Sequence, residues 1–172
     1  MTHSSRRLRL SAAIDTAGLD AMLVTDLINV RYLSGFTGSA GALLVYADQR
    51  PALLATDGRY RTQAARQAPD LPAAIERAGA SHLVGQAAAA GVGRLGFEAH
   101  VVTVDGFDTL AAALCAADGA VAGAELVRAS GAVEALREAK DAGEVALQVP
   151  YPAPDTPILP YTRAMAQPAG WI

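Results

Sequence analysis

Two short segments carry the residues best suited to contact a ligand. The first runs Arg-Tyr-Leu-Ser-Gly-Phe-Thr-Gly-Ser-Ala-Gly from Arg31 to Gly41, and the second runs Ala-Thr-Asp-Gly-Arg-Tyr from Ala55 to Tyr60. Glycine lets a backbone approach a ligand closely, and loops carry much of a protein's recognition. The first segment is therefore interpreted as a glycine-rich loop, and the second as a strand end with Arg59 and Tyr60 projecting nearby. Ordinary structural turns are the alternative for both.

Other reactive side chains lack the neighbours that their chemistry needs. Ser39 does not fit the nucleophile elbow, because Thr37 occupies its first glycine position. Cys115 is the only cysteine, so it forms no disulfide within the chain, and its apolar helix predicts a core position. The histidines share no metal-binding spacing with one another or with a carboxylate; they are His3, His82 and His100. The sequence therefore predicts no catalytic residue and no metal ligand.

The segment Gly-Val-Gly-Arg-Leu-Gly at residues 91–96 matches the glycine pattern of dinucleotide-binding loops. That pattern binds a pyrophosphate when a strand precedes it and a helix follows it. Here an alanine-rich helix is predicted before it and a strand after it. The reversed order predicts a helix-to-strand turn, and a nucleotide-binding enzyme remains the less favoured hypothesis.

Apolar periodicity predicts alternating helices and strands around these segments. Such alternation, with one tight hairpin formed by the second and third strands, indicates an α/β domain whose mixed sheet has helices on both faces. The predicted helices cover residues 4–17, 26–35, 57–66, 81–90 and 107–117, and the predicted strands cover residues 21–25, 42–46, 52–56, 73–77, 94–98 and 124–128.

Composition divides the chain into three parts. Residues 1–130 form the predicted α/β domain, and residues 131–149 form a predicted linker helix with charges four positions apart. Residues 150–172 contain six of the nine prolines and almost no charge, which predicts an extended or disordered tail.

Overall composition excludes several classes of protein. The 172 residues are 52% hydrophobic and 18% charged, which allows a buried core. A net charge of −3 gives no basic surface for nucleic acid. The first thirteen residues lack a continuous apolar stretch, so we expect no secretory signal, no membrane span and a cytoplasmic location.

Four segments in order resemble the creatinase N-terminal domain, which aminopeptidase P and prolidase-type enzymes share. They are RYLSGFTGSAGALLV, ALLATDGRY, LGFE at residues 95–98 and VEALREAKDAGEVA at residues 133–146, and the resemblance spans about residues 8–147. It implies a mixed-sheet α/β domain with a ribonuclease-H-like motif, followed by a larger catalytic domain. In the family that domain holds two divalent metal ions, commonly manganese, and cleaves the bond before a proline.

The metal ligands that the resemblance implies cannot be placed in this chain. Only Asp155 is acidic after Glu144, and no histidine follows His100. We therefore expect the chain alone to be inactive and to hold no cofactor. The tail departs from the family pattern, which indicates a premature end in another reading frame, a degraded gene or a truncated paralogue.

Without the metal ligands, the resemblance implies only the role of the N-terminal domain. That role is to shape the substrate entrance and to contribute dimer contacts. The expected partners are a second copy of the chain or a metallopeptidase catalytic domain. A pseudo-enzyme module that binds peptides or proteins is the alternative. The residues that match the family motifs, and to which this role is given, are Phe36, Thr37, Gly38, Ser39, Asp57, Arg59 and Tyr60.

Overall fold

Helices and strands alternate along the chain in the predicted order. The structure, a computed structural model, describes residues 2–140 and residue 145, and residues 1–139 form one unit. The helices are α1 (His3–Thr16), α2 (Leu27–Ser34), α3 (Arg61–Gln67), α4 (Gly79–Ala89), α5 (Val104–Cys115) and α6 (Ala132–Glu138). The strands are β1 (Ala21–Val24), β2 (Gly41–Tyr46), β3 (Leu53–Thr56), β4 (Ala73–Ile75), β5 (Arg94–Phe97) and β6 (Glu125–Arg128).

The described strands form one mixed sheet in the order β4-β3-β2-β1-β5-β6. Strand β2 is antiparallel to β1 and β3, whereas β1 pairs with β5, β3 with β4 and β5 with β6 in parallel. The predicted hairpin is confirmed, with Leu43 opposite Leu54. All four residues of β1 are buried, as expected of a central strand covered on both faces.

Side chains of β1 alternate between two apolar cores, because successive residues of a strand point to opposite faces. Met22 and Val24 belong to one core, together with buried residues of α1, α2 and α6. Ala21 and Leu23 belong to the other, together with buried residues of α4 and α5. Helices therefore cover both faces of the sheet, and the predicted architecture is confirmed.

Helix α2 begins and ends where the sequence indicates. The Asp26 carboxylate accepts the backbone N–H of Ile28 at 2.8 Å, which makes Asp26 the N-cap. Gly35 ends the helix in a left-handed conformation with φ of 79°, which glycine adopts without strain. The glycine-rich loop therefore leaves α2 at a fixed point. The predicted helix from Asp57 differs in detail, since it starts as a 3₁₀ turn, Gly58–Tyr60, and becomes α3 at Arg61.

Cys115 is exposed, so its predicted core position is wrong. Leu110 and Leu114 occupy the inward face of α5 and are buried. Because each residue of an α-helix turns by about 100°, the residue after Leu114 points away from that face. The glycine pattern at 91–96 is confirmed as a helix-to-strand turn, since it joins α4 to β5.

The predicted linker helix over residues 131–149 contains helix α6 within the described residues. Helix α6 ends at Glu138, and Ala139 is extended, with φ of −84° and ψ of 106°. Most of the remaining predicted linker and the whole proline-rich tail lie outside the described residues. Within the part of the chain that is described, each helix is too short or too polar to cross a membrane.

Candidate functional site

A buried phenylalanine shapes the glycine-rich loop between α2 and β2. Phe36 is 1% exposed, and its backbone N–H donates to Ser34 Oγ at 3.1 Å. A Cβ atom on Gly38 would lie 2.2 Å from Phe36 Cζ, so a side chain there would collide with the ring. Phe36 and Gly38 therefore act within the loop itself, and they set the positions of the exposed Thr37 and Ser39.

The turn after β3 presents an arginine in a fixed orientation. The Asp57 carboxylate accepts the backbone N–H of Arg59 at 2.9 Å and two hydrogen bonds from its guanidinium at 3.0 and 2.6 Å. The bonds from Arg59 hold the pKa of Asp57 below its usual value and raise the pKa of the guanidinium. The Asp57 side chain is 18% exposed and that of Arg59 is 70% exposed. The Arg59 side chain is therefore exposed to solvent while its guanidinium stays paired with Asp57.

A hydrogen bond joins the loop to the turn. Ser39 Oγ lies 2.6 Å from Tyr60 Oη, and this bond lowers the pKa of the Tyr60 phenol. The Tyr60 ring stands edge-on to Phe36, with centroids 5.8 Å apart and an interplanar angle of 85°. The two predicted segments thus form one unit, here called the loop–turn site, which consists of Phe36, Thr37, Gly38, Ser39, Asp57, Arg59 and Tyr60.

Two concavities adjoin the loop–turn site. One is a groove of about 500 Å³, to which Arg59 contributes together with residues of α3, namely Thr62, Gln63, Arg66 and Gln67. The other, of about 140 Å³, includes Asp57 and lies between the ends of the strands and the start of α4. Guanidinium and amide groups donate hydrogen bonds to carboxylates and carbonyls. The groove is therefore lined by polar and positively charged side chains.

Two glutamines of α3 also belong to this region, although the sequence did not single them out. The backbone N–H of Thr37 donates to Gln67 Oε1 at 2.9 Å, and Gln63 Nε2 donates to Thr37 Oγ1 at 3.0 Å. Their spacing of four places them on one face of α3. That spacing was the available signal, but it does not indicate which loop the face would meet.

A second polar region lies where β1 and β5 end. Glu98 follows β5 directly and is only 1% exposed. Its Oε2 accepts the backbone N–H groups of Thr25 and Asp26 at 2.6 and 2.7 Å, and its Oε1 accepts Asn29 Nδ2 at 2.7 Å. The buried carboxylate therefore fixes the start of α2. A charged residue directly after an apolar strand was the signal in the sequence.

Asn29 connects Glu98 to helix α6. Its Nδ2 also donates to Glu134 Oε1 at 2.5 Å, and its Oδ1 accepts Arg137 Nη1 at 2.9 Å. Glu134 Oε1 lies 3.2 Å from His100 Nε2. Burial favours a higher pKa for Glu134, but the hydrogen bond from Asn29 and the nearby His100 outweigh it and lower the pKa. The group is called the strand-end cluster; its members are Asp26, Asn29, Glu98, His100, Glu134 and Arg137.

Although the histidines share no metal-binding spacing with a carboxylate in the sequence, the fold places His100 beside Glu134. His100 and Glu134 are 34 residues apart, so no short spacing in the sequence indicates their contact. The fold brings them together because the turn after β5 and the start of α6 lie at the same end of the sheet.

The fold and the loop–turn site together define an α/β domain of a known class. The family described as Creatinase/Prolidase N-terminal domain matches residues 6–139. The chain belongs to this family, as its sequence motifs indicated.

Individual relatives agree with the family. The N-terminal domain of the cytoplasmic peptidase PepQ from Mycobacterium tuberculosis H37Rv is 67% identical, with a TM-score of 0.73, over 77% of this chain and 98% of that chain. The Xaa-Pro dipeptidase from Bacillus anthracis is 31% identical, with a TM-score of 0.73, over 84% of this chain and 38% of that one. The uncharacterized peptidase YqhT from Bacillus subtilis (strain 168) is 35% identical over 130 residues. The chain spans 34% of the length of YqhT.

Proposed function

We propose that this chain acts as the non-catalytic N-terminal domain of an Xaa-Pro peptidase of the metallopeptidase type. Membership of the family supports this role, as does the likeness to the Xaa-Pro dipeptidase from Bacillus anthracis. In the proposed enzyme a separate catalytic domain supplies two divalent ions, commonly manganese, which polarise the scissile carbonyl and generate the nucleophile. The chain itself contributes recognition.

The loop–turn site is proposed to line the substrate entrance. The observation that carries this proposal is the hydrogen bond between Ser39 and Tyr60, which joins two separate motifs beside the exposed Arg59. The guanidinium of Arg59 can bind a peptide carboxylate, and the groove beside it has room for an extended chain. The loop–turn site would then act on substrate binding and not on the chemical step.

The proposed partners are a second copy of the chain and a metallopeptidase catalytic domain. The proposed location is the cytoplasm, which the description of the Mycobacterium tuberculosis relative as a cytoplasmic peptidase supports. Sedimentation velocity tests self-association directly. If the loop–turn site forms the dimer contact, Arg59→Glu shifts the chain toward monomer, whereas Arg94→Glu, at an exposed arginine paired with Glu125, does not.

A hydrolysis assay tests the non-catalytic role. The full chain is incubated with Mn²⁺ and an Xaa-Pro dipeptide, and release of proline is measured. We expect no release above that of the buffer. Turnover that stays with the chain through purification would contradict the proposal.

A chimera tests the role at the substrate entrance. Residues 6–139 replace the N-terminal domain of the Bacillus anthracis Xaa-Pro dipeptidase, and the kinetics of Arg59→Ala and of the matched control Arg94→Ala are compared. Loss of a charge-assisted hydrogen bond to substrate raises KM by about tenfold or more and leaves kcat nearly unchanged. Equal KM values for both variants and the parent chimera would show that Arg59 does not contact the substrate.

A peptide-binding module without catalytic partner is the second candidate, and the open groove of about 500 Å³ favours it. Calorimetric titration of the isolated chain with an Ala-Pro peptide separates the two candidates. Binding with Kd below about 1 mM that Arg59→Ala weakens favours the module. Absence of binding by the isolated chain favours a role that requires the catalytic domain.

A further inference from the structure

Three side chains of the strand-end cluster carry metal-ligand atoms that converge. A carboxylate oxygen of Asp26, a ring nitrogen of His100 and a carboxylate oxygen of Glu134 all lie within 4.8 Å of one another. Each comes from a different part of the fold, namely the N-cap of α2, the turn after β5 and the first turn of α6. A ligand shared by all three would therefore connect these elements.

One oxygen of Glu134 lacks a partner. Oε1 accepts Asn29 Nδ2 and lies 3.2 Å from His100 Nε2, whereas Oε2 is buried and accepts no hydrogen bond from the described residues. Buried polar atoms are normally paired, because an unpaired one has lost its water without compensation. Coordination of a cation would satisfy this oxygen.

The charges of the strand-end cluster also favour a bound cation. Three carboxylates meet in the cluster, those of Asp26, Glu98 and Glu134, and Glu98 is almost completely buried. One guanidinium also belongs to the cluster, that of Arg137, which donates to Asn29 Oδ1. The cluster therefore has an excess of negative charge, which a divalent cation would neutralise.

The surrounding residues hold the ligands in place. Glu98 binds the backbone N–H of Asp26 and the side chain of Asn29, and Asn29 in turn binds Glu134. Metal sites rely on such outer hydrogen bonds to orient the ligands. Here the outer residues Asn29 and Glu98 are both buried, so the support is rigid.

We propose that Asp26, His100 and Glu134 bind one divalent transition-metal ion, with Zn²⁺ preferred. One imidazole and two carboxylates, with a water at the fourth position, form a set of ligands that Zn²⁺ accepts. Ligand atoms of a tetrahedral zinc site lie about 3.4 Å apart, and the three candidate ligand atoms lie within 4.8 Å of one another before any ion is bound. The site lies within residues 6–139 and differs from the two-metal centre that the family resemblance places in the catalytic domain.

Calorimetric titration of the full chain with Zn²⁺, after removal of metal by a chelator, tests the site. We expect one ion per chain and a rise of the melting temperature with free Zn²⁺. The isosteric variants Asp26→Asn and Glu134→Gln, and His100→Gln, weaken binding by about tenfold or more. The matched controls His82→Gln and Glu125→Gln, at residues outside the cluster, leave the affinity unchanged.

A measurement on the unmodified protein avoids any dependence on the folding of the variants. Histidine ring nitrogens are followed by NMR while Zn²⁺ is added. We expect the His100 resonances to shift and those of His3 and His82 to stay. The proposal is overturned if the chain binds no Zn²⁺ at about 1 mM. It is equally overturned if the His100 resonances stay, or if His100→Gln binds as the parent does.

Discussion

The loop–turn site and the strand-end cluster are assembled in opposite ways. Ser39 and Tyr60 are 21 residues apart, and the contact between them is exposed. Asn29 and Glu134 are 105 residues apart, and Asn29 is fully buried. The first region is visible as two motifs in the sequence, whereas the second exists only once the sheet has formed.

The two regions also differ in what their hydrogen bonds do for the fold. Exposed polar pairs contribute little to stability, because water competes for the same groups. Buried charged groups contribute strongly once their partners are fixed, since removal of one partner leaves the others without hydrogen bonds. The loop–turn site is therefore free to change its contacts on binding, whereas the strand-end cluster holds α2 and α6 in place.

The largest expected effect is a loss of stability when the strand-end cluster is broken at Glu98. Glu98→Leu removes the acceptor of the backbone N–H groups of Thr25 and Asp26, which are partly buried, and also that of the buried Asn29 amide. We expect a loss of about 3 kcal/mol in the free energy of unfolding, measured by urea denaturation, because several donors lose a charged acceptor. Glu98→Gln keeps one acceptor and replaces the other by a donor, so its loss is smaller but still clear.

A loss below about 1 kcal/mol for Glu98→Leu would contradict this view of the cluster. It would mean that water or a rearranged α2 satisfies the freed N–H groups. Far-UV circular dichroism of the variant, recorded before denaturation, shows whether α2 is still helical.

The next effect tests the one buried part of the loop–turn site. In Gly38→Ala the new methyl group would lie 2.2 Å from Phe36 Cζ, so the ring must move out of a tightly packed position. Overpacking of this kind costs about 1–3 kcal/mol in unfolding free energy. The matched control is Gly58→Ala, where no atom lies within 4 Å of the added Cβ. Equal unfolding midpoints for the two variants would show that Phe36 does not constrain the loop.

Most elements of the fold were predictable because their signals are local. The cap at Asp26, the stop at Gly35 and the apolar run of β1 lie within a few residues of the structure they specify. The order of strands is not local in this sense. Strand β1 pairs with β5, more than seventy residues later, and periodicity alone does not show which strands become neighbours.

The difference between local and distant contacts also explains which site residues could be predicted from the sequence. The loop–turn residues were predicted from a family motif, although nothing in the sequence shows that Ser39 reaches Tyr60. Glu98 lies within the motif LGFE, but the sequence does not indicate that its carboxylate is buried. The contact of His100 with Glu134 was missed because it depends on the fold.

An ion pair outside both regions is intermediate in burial between the exposed loop–turn site and the buried strand-end cluster. Arg7 is buried and pairs with the half-exposed Asp70. Burial favours a higher pKa for Asp70, but the hydrogen bond and charge of Arg7 outweigh it and lower the pKa. A carboxyl whose pKa is lower in the folded state stabilises the fold above its unfolded pKa, and this contribution disappears as pH falls through the folded value.

Asp70→Asn should therefore cost about 0.5–1 kcal/mol near pH 7, after allowance for solvent screening. The difference from the parent should shrink below about pH 4, measured by urea denaturation at several pH values. A difference that stays constant down to pH 2 would show that the pair acts through packing and not through charge. Burial of a charged pair would then not explain its contribution to the free energy of unfolding.

The smallest effect is spectroscopic and concerns the contact that joins the loop to the turn. The hydrogen bond from Ser39 lowers the pKa of Tyr60, whereas burial raises the pKa of Tyr46. In an NMR titration of the ring carbons toward alkaline pH, Tyr60 should therefore ionise before Tyr46. Ser39→Ala removes the donor that stabilises the phenolate, so the pKa of Tyr60 should rise while that of Tyr46 and the urea midpoint stay unchanged. If Tyr60 ionises at the same pH in both proteins, the hydroxyl groups do not meet in solution, and the loop and the turn are separate structures.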